Sequence, residues 1–425
     1  MRLIKNFDQL AFTPQRKIVL EIIEEGFASM QPAKIINKNF SIKDNKLIIQ
    51  HEKIDLLDFK RIFLLGFGKG SSGISKQLES ILGNYLTQGC VIDVVQNRFS
   101  KIEFTLGTHP LPSRANVLFT KNVLNKLSNL TERDLVIVVI AGGGSALFVD
   151  PYRISLEKLI EVNKSLLRSG ANISEMNIVR KHLSKVKGGG LAKHLYPAMI
   201  VSLIVSDVPG NDLSVVASGP TVKDSSTKTE AFNILHTYNL WDKLNLSQND
   251  FLETPKKDKY FENVTNILIL SNKTALLAMQ QKAKELGFNT IILSDKFQGE
   301  AKFVGKELIE KTPPHTILVV GGETTVKVKG LGEGGRNQEV ILGTLSYLTQ
   351  DTVIASFDSD GWDNSYFAGA IGDFQTIDKA QKLHLNIQEF QETNNVLPFF
   401  EKVGDGIVTG KLPSNVSDLM VVLRE

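Results

Sequence analysis

Hydrophobic residues fall into short runs separated by stretches with helical spacing. Arg61–Gly66 (RIFLLG), Cys90–Val95 (CVIDVV), Asp134–Ala141 (DLVIVVIA) and Met199–Ser206 (MIVSLIVS) are apolar without strict alternation, as strands covered on both faces should be. Helical patterns lie between them at Ser71–Leu82, Arg114–Leu127, Leu156–Arg168 and Ser174–Ser184. This alternation predicts a mostly parallel sheet clothed by helices. A helix from Thr13 to about Met30 precedes the first strand. The rhythm lapses between Asn239 and Asn263, where polar residues surround Pro255 and predict a linker. A second block follows: strand Asn266–Leu270, helix Lys273–Leu286, strand Thr290–Leu293, helix Glu300–Glu310, strand Thr316–Val320, a hairpin partner at Thr324–Val328, helix Asn337–Leu348 and strand Val353–Phe357. The pattern therefore predicts two α/β domains, residues 1–245 and 262–425, with a cleft between them.

Composition narrows the class of function. The chain has 425 residues with 42% hydrophobic and 22% charged, ordinary globular usage that excludes disorder and fibrous repeats. A net charge of +3 without charged blocks gives no reason to expect nucleic acid as a partner. The single cysteine, Cys90, excludes a disulfide framework and fits a reducing compartment. The longest apolar runs, Leu135–Ala141 and Ala198–Val205, fall far short of a membrane helix, and MRLIKNFDQLAF lacks the apolar core of a signal peptide. A cytoplasmic, membrane-free enzyme acting as a monomer or homodimer is the expectation.

Glycines cluster where strands give way to helices, an arrangement that opens backbone amides to anions. In Leu65–Gly73 (LGFGKGSSG), Gly68 and Lys69 are candidates for holding a phosphate or carboxylate; a solvated surface lysine is the competing reading. The loop misses the dinucleotide fingerprint at Ser71, although Asp93 lies at about the right distance, and it fails a Walker A loop at Phe63 and Gly70. In LVIVVIAGGGSAL, Gly143 and Gly144 expose amides, and Ser145 is either an anion contact or a helix N-cap. In ISEMNIVRKHLSKVKGGG, Asn177, Arg180, Lys181 and Ser184 recur at helical spacing before Lys187. Asp207 follows a buried strand, where a carboxylate can serve as base or metal ligand or merely cap the loop, while Asp212 serves the turn. In GGETTVKVKGLGEGGRNQE, Gly334, Gly335, Arg336 and Asn337 open a helix and suit a transferring phosphoryl group. Glu323, Glu339 and the Asp358, Asp360, Asp363 run are candidate Mg²⁺ ligands, the last three being equally suited to turns. His109 in GTHPLPS reads as a lone structural histidine.

Taken in order, GFGKG, GTHPLPS, IAGGGSALF, SEMNIVRKHLSKVKGGGLA, SDVPGNDLSVVASGPT, GGETTVKVKGLGEGGRNQE, FDSDGWDNSYFAGA and PSNVSDLMVVL resemble the class II glycerate kinase family, from about Arg61 to the end. The resemblance implies a Rossmann-like α/β/α N-terminal domain and a smaller mixed α/β MOFRL domain. It implies ATP- and Mg²⁺-dependent transfer of a phosphoryl group to the C2 hydroxyl of D-glycerate, with Lys69 and Arg336 as active-site cations. There are two departures from the family pattern. Gly70-Ser71 replace the small alanines expected after the lysine, and Asn364 replaces a glycine. On this reading Asp207 is the candidate base or metal ligand, joined as metal ligands by Glu323 and Asp360, and Arg180 or Lys187 holds the substrate carboxylate. An NAD(P)H-dependent hydroxypyruvate reductase is the rival, since the two substrates differ by one hydride.

Overall fold

A computed structural model describes residues 2–425. The chain forms two compact units, Ile35–Ile269, and the residues up to Lys34 together with Leu270–Glu425.

The Ile35–Ile269 unit opens with an antiparallel meander, β1 (Phe40–Lys43), β2 (Lys46–Ile49) and β3 (Glu52–Asp55). Hydrophobic periodicity does not reveal it, because these strands are short and half-exposed. Its one signal is Asp44-Asn45, both left-handed (φ 51° and 60°), the turn chemistry that a two-residue hairpin demands. Next come β4 (Arg61–Phe67), β5 (Gln88–Asp93), β6 (Ile102–Leu106), β7 (Asp134–Ile140), β8 (Met199–Val205) and β9 (Val264–Leu270), ordered β6-β5-β4-β7-β8-β9. Neighbours from β6 to β8 pair in parallel. Every residue of β7 is buried, as its unbroken apolar run requires. From β4 the chain winds toward β6, and from β7 it winds toward β8. The loops after β4 and β7 therefore diverge and leave a crevice at the sheet's carboxyl edge.

Two expectations about the boundary fail. Leu240, Leu244, Leu246 and Phe251 are buried with the helices Leu156–Ser169, Ile173–His182 and Lys228–Thr237, so the expected linker is part of the first unit's core. Strand β9, expected to open the second domain, is the edge strand of the first sheet.

The other unit holds β10 (Asn289–Glu300), β11 (Thr316–Thr325), β12 (Thr352–Asp358), β13 (Gly369–Gly372), β14 (Gly406–Ile407) and β15 (Asp418–Arg424), ordered β10-β11-β15-β12-β13-β14. Only β10 and β11 pair in parallel. The expected hairpin at Thr324–Val328 is absent: β11 runs straight through to Thr325 beside β10. Helices Ala301–Glu310 and Arg336–Thr344 cover one face, and Pro14–Ser29 and Asn272–Glu285 the other. The N-terminal helix thus belongs here and not to a domain beginning at residue 1. Arg16 fixes it: fully buried, the guanidinium donates to Asp373 at 2.7 and 2.8 Å and to Asp405 at 2.8 and 3.0 Å. No helix among the described residues is long and apolar enough to cross a membrane.

Candidate active site

In the first unit, the loops after β4, β7 and β8 converge. The Lys69 amide donates to the Gly142 carbonyl at 2.8 Å. Gly68 lies at φ 110°, and a Cβ there would stand 2.3 Å from the Ala141 carbonyl oxygen, so only glycine lets the two loops touch. Asp207 closes the group. Its Oδ2 lies 2.2 Å from where a Gly142 Cβ would be, so glycine at 142 makes room for this carboxylate. His109, expected to be structural, brings its ring edge against Gly143, with Cδ2 2.7 Å from where a Cβ on that glycine would stand.

Ser145 is not an N-cap. The cap of its short helix is Gly143, and the Ser145 hydroxyl pairs with that of Ser218 at 2.7 Å. Ser218 also donates to Asn177 Oδ1 at 3.0 Å. The Lys187 ammonium donates to the Ser145 carbonyl at 2.7 Å. Burial, with the Arg180 guanidinium nearby, pushes Lys187 down to about 7; burial likewise lowers Arg180, whose Nε donates to Asn163 Oδ1 at 2.8 Å. Lys181 is separate: it pairs with buried Asp224 at 2.9 Å and holds the helix to the chain beyond. Gly68, Lys69, Gly143, Gly144, Ser145, Asn177, Arg180, Lys187 and Asp207 thus gather at one sheet edge. Ser218, which links Ser145 to Asn177, escapes sequence reasoning; its left-handed φ of 63° on a non-glycine residue has no signature in the chain. Asp212 serves its turn, accepting from the Ser214 amide at 2.9 Å.

Asp93 cannot read a ribose. It is fully buried and accepts from the Ser72 amide at 3.0 Å and the Val94 amide at 2.6 Å, so the near-fingerprint is a helix cap.

In the other unit, Arg336 begins the helix Arg336–Thr344 at the carboxyl end of β11. Its Nη1 donates to Glu323 at 2.5 Å, its Nε lies 2.8 Å from an Asp418 oxygen, and Nη2 is 3.7 Å from Asp358. The fork is therefore held firmly on two sides and loosely on the third. These carboxylates outweigh the burial that would otherwise lower it, and raise the guanidinium far above its ordinary range. Burial pushes Asp418 up to about 6 against the pull of Arg336, and raises Asp358 as well.

The helix start is not an open anion site. Asp363 accepts from the Asn337 amide at 3.1 Å and the Gln338 amide at 2.9 Å, so a carboxylate of the chain already caps it. Asn337 is fully buried, donates to Asp418 at 2.9 Å and accepts from Ser356 at 2.5 Å. It positions Asp418, and the expectation that it contacts phosphate is corrected. Gly335 stands where a Cβ would meet Asp363 at 2.1 Å, and Gly334, at φ 131°, accepts from Asn364 at 2.8 Å. Both are shaped for that cap. Asp418 is the carboxylate beside Arg336 that sequence reasoning misses; beyond its place in a terminal motif, a buried Asp at a strand start carries no signal. Of the candidate metal ligands, Glu323 holds Arg336, the Asp360 amide donates to Asp358 at 3.0 Å, and Asp207 belongs to the first unit. Among the described residues, no three His, Cys, Asp or Glu side chains are grouped to hold a metal ion.

Residues 18–253 match a domain of unknown function, DUF4147, and residues 316–418 match the MOFRL family. The chain is 34% identical to a glycerate 2-kinase of Pyrococcus horikoshii over 96% of this chain and 97% of that one. It is 33% identical to a glycerate 2-kinase of Picrophilus torridus, covering 99% of each. A solved glycerate kinase structure from Thermotoga maritima superposes with a TM-score of 0.85 at 30% identity, covering 96% of this chain and 99% of that one.

Proposed function

The chain belongs to the class II glycerate kinase family, and from that premise we propose how its residues carry the reaction. It is an ATP-dependent glycerate 2-kinase, converting D-glycerate to 2-phosphoglycerate and ADP. The first unit binds the hydroxy acid. Lys187 and Arg180 hold its carboxylate, and Asp207 takes the proton from the C2 hydroxyl. Lys69 and Arg336 offset charge spreading over the transferring phosphoryl oxygens. ATP arrives as its Mg²⁺ complex, and the ion enters with the substrate. The observation that carries the reading is the gathering of Lys69, Asp207 and Lys187 at one sheet edge. Asp93, locked into a cap, speaks against the reductase. A cytoplasmic setting keeps the free Cys90 thiol reduced.

The deciding assay supplies ATP, Mg²⁺ and D-glycerate, coupled to enolase and pyruvate kinase with no mutase present. Signal is expected without mutase. A signal that needs mutase would mean transfer to the 3-position, and none at all beside NADH-dependent loss of hydroxypyruvate would mean the reductase.

Lys187 gives a pH signature. With its value near 7 the ammonium is present below that pH and lost above it, so the KM for glycerate should rise about tenfold between roughly pH 6.5 and 8.5, as one charge-assisted contact disappears. Lys187→Arg, charged throughout, should flatten the profile; an unchanged slope would remove Lys187 from carboxylate binding. Gly142→Ala should lower kcat/KM by about 10²-fold with the fold intact, because the new methyl displaces Asp207 from its place. Steady-state kinetics beside a melting curve checks it.

A further inference from the structure

The structure assigns a second role to the C-terminal unit: we propose that the pocket beneath helix Arg336–Thr344, walled by Leu342, Tyr347 and Ile387 with Glu339 at its buried end, holds the adenine nucleoside of ATP. The proposal rests on the kinase reading and adds where the base binds. The pocket is about 720 Å³, within the range of small-ligand sites. Leu342, Leu345, Tyr347, Leu348, Ile377 and Ile387 give it an apolar wall of the kind a flat base requires, and polar and charged residues make up the rest. Glu339 is 4% exposed, and the Asn394 side chain lies beside it. Asn394 Oδ1 is already committed to the Lys329 amide at 2.7 Å and the Gly330 amide at 3.3 Å, which leaves the Glu339 carboxyl to meet a ligand.

Burial raises Glu339 to about 7. A carboxyl that keeps its proton offers one donor beside one acceptor, the complement of adenine N1 and its amino group. The charged groups around it are Glu300 and Lys302 at the end of β10 and the start of helix Ala301–Glu310, Lys327 and Lys329 after β11, and Glu392 on helix Ile387–Glu392. The lysines suit a triphosphate leaving the base. The walls are shared with the phosphoryl site: β11 carries Glu323, which grips Arg336, and then Thr325 into the pocket, while Glu339 follows Arg336 by one helical turn.

Ser346 and Gln388 line the pocket on different elements and are exposed, so bulk there does not endanger folding. In the full-length chain, Ser346→Trp and Gln388→Trp are expected to raise the KM for ATP at least about tenfold in one or both variants, a loss of about 1.4 kcal/mol of nucleotide binding. The KM for glycerate and the inhibition constant of inorganic tripolyphosphate, which has no base, should stay within about twofold. Glu339→Leu, which removes both the donor and the acceptor, should likewise raise the KM for ATP about tenfold, and Glu339→Gln, whose amide keeps one of each, should hold it near the wild-type value. The proposal falls if both tryptophan variants keep the wild-type KM for ATP, or if tripolyphosphate inhibition weakens in step with it. A wild-type chain that transfers no phosphate from ATP to glycerate would instead remove the kinase reading itself.

Discussion

Arg336→Ala is expected to lower kcat for glycerate phosphorylation by about 10³-fold, the usual consequence of removing the cation that meets a transferring phosphoryl group. The environment of the side chain explains why so much should rest on it. Asp418 and Glu323 fix the guanidinium on two sides, and only the edge toward Asp358, at 3.7 Å, is loosely held. The fork is thus immobilised with one edge to spare, which is the preorganisation that catalysis by fixed charge needs. Removing it leaves Asp418, fully buried and already at about 6, without its cation, and its carboxyl should then be protonated at neutral pH. Arg336→Lys separates charge from shape. A lysine keeps the positive charge but cannot reach Asp418 and Glu323 together, so kcat should still fall about 10²-fold while the fold is retained. Near-normal turnover in a well-folded Arg336→Ala would end the assignment.

The largest effect on stability is expected at a site remote from the chemistry. Arg16→Met should destabilise the C-terminal unit by about 3–5 kcal/mol, because breaking a buried ion pair from one side strands the other charges. Asp405 is fully buried and is held low by Arg16 and Lys379, and Asp373 caps its own helix while gripping the same guanidinium. Lys379, 2.6 Å from Asp405, remains in the variant and softens the loss. The sign with pH follows: Asp405 is depressed in the folded state, so its contribution is present above the usual aspartate range and is lost as pH falls. Calorimetry of the wild type should show this acid-side loss, and the variant should melt about 10 °C lower with a shallower one. A melting point within experimental scatter of the wild type would show the pair to be dispensable.

What can be read from sequence divides along a physical line. Buried parallel strands such as β7 announce themselves, since an unbroken apolar run of that length has few other uses, and the glycines at 68 and 143 mark the loops that must approach closely. The meander β1–β3 and the continuation of β11 through Thr325 do not, because short or half-exposed strands carry little periodic signal. The polar stretch 239–263 misleads because the apolar residues that dock it, Leu240, Leu244, Leu246 and Phe251, are few and spaced too irregularly to show a period. At the site, charges can be located but not their partners. Lys181 and Arg180 are neighbours in sequence, yet one is tied to Asp224 and the other lies beside Lys187. Asn337 has the chemistry of a phosphate donor, yet its amide groups are spent on Asp363 and Asp418. Partnership is a property of three dimensions, and a single sequence supplies only the inventory.

Because the helix Pro14–Ser29 completes the unit whose remainder starts at Leu270, the chain leaves the ribosome in an order its fold cannot use. Arg16 precedes Asp405 by 389 residues, about 20–80 s of synthesis at ordinary rates. Throughout that interval a helix with an apolar side waits without its partners. The sheet of the C-terminal unit cannot close before β15 has emerged, because that late strand lies between β11 and β12, and a chain broken before Asp418 would carry an apolar helix with no sheet to cover.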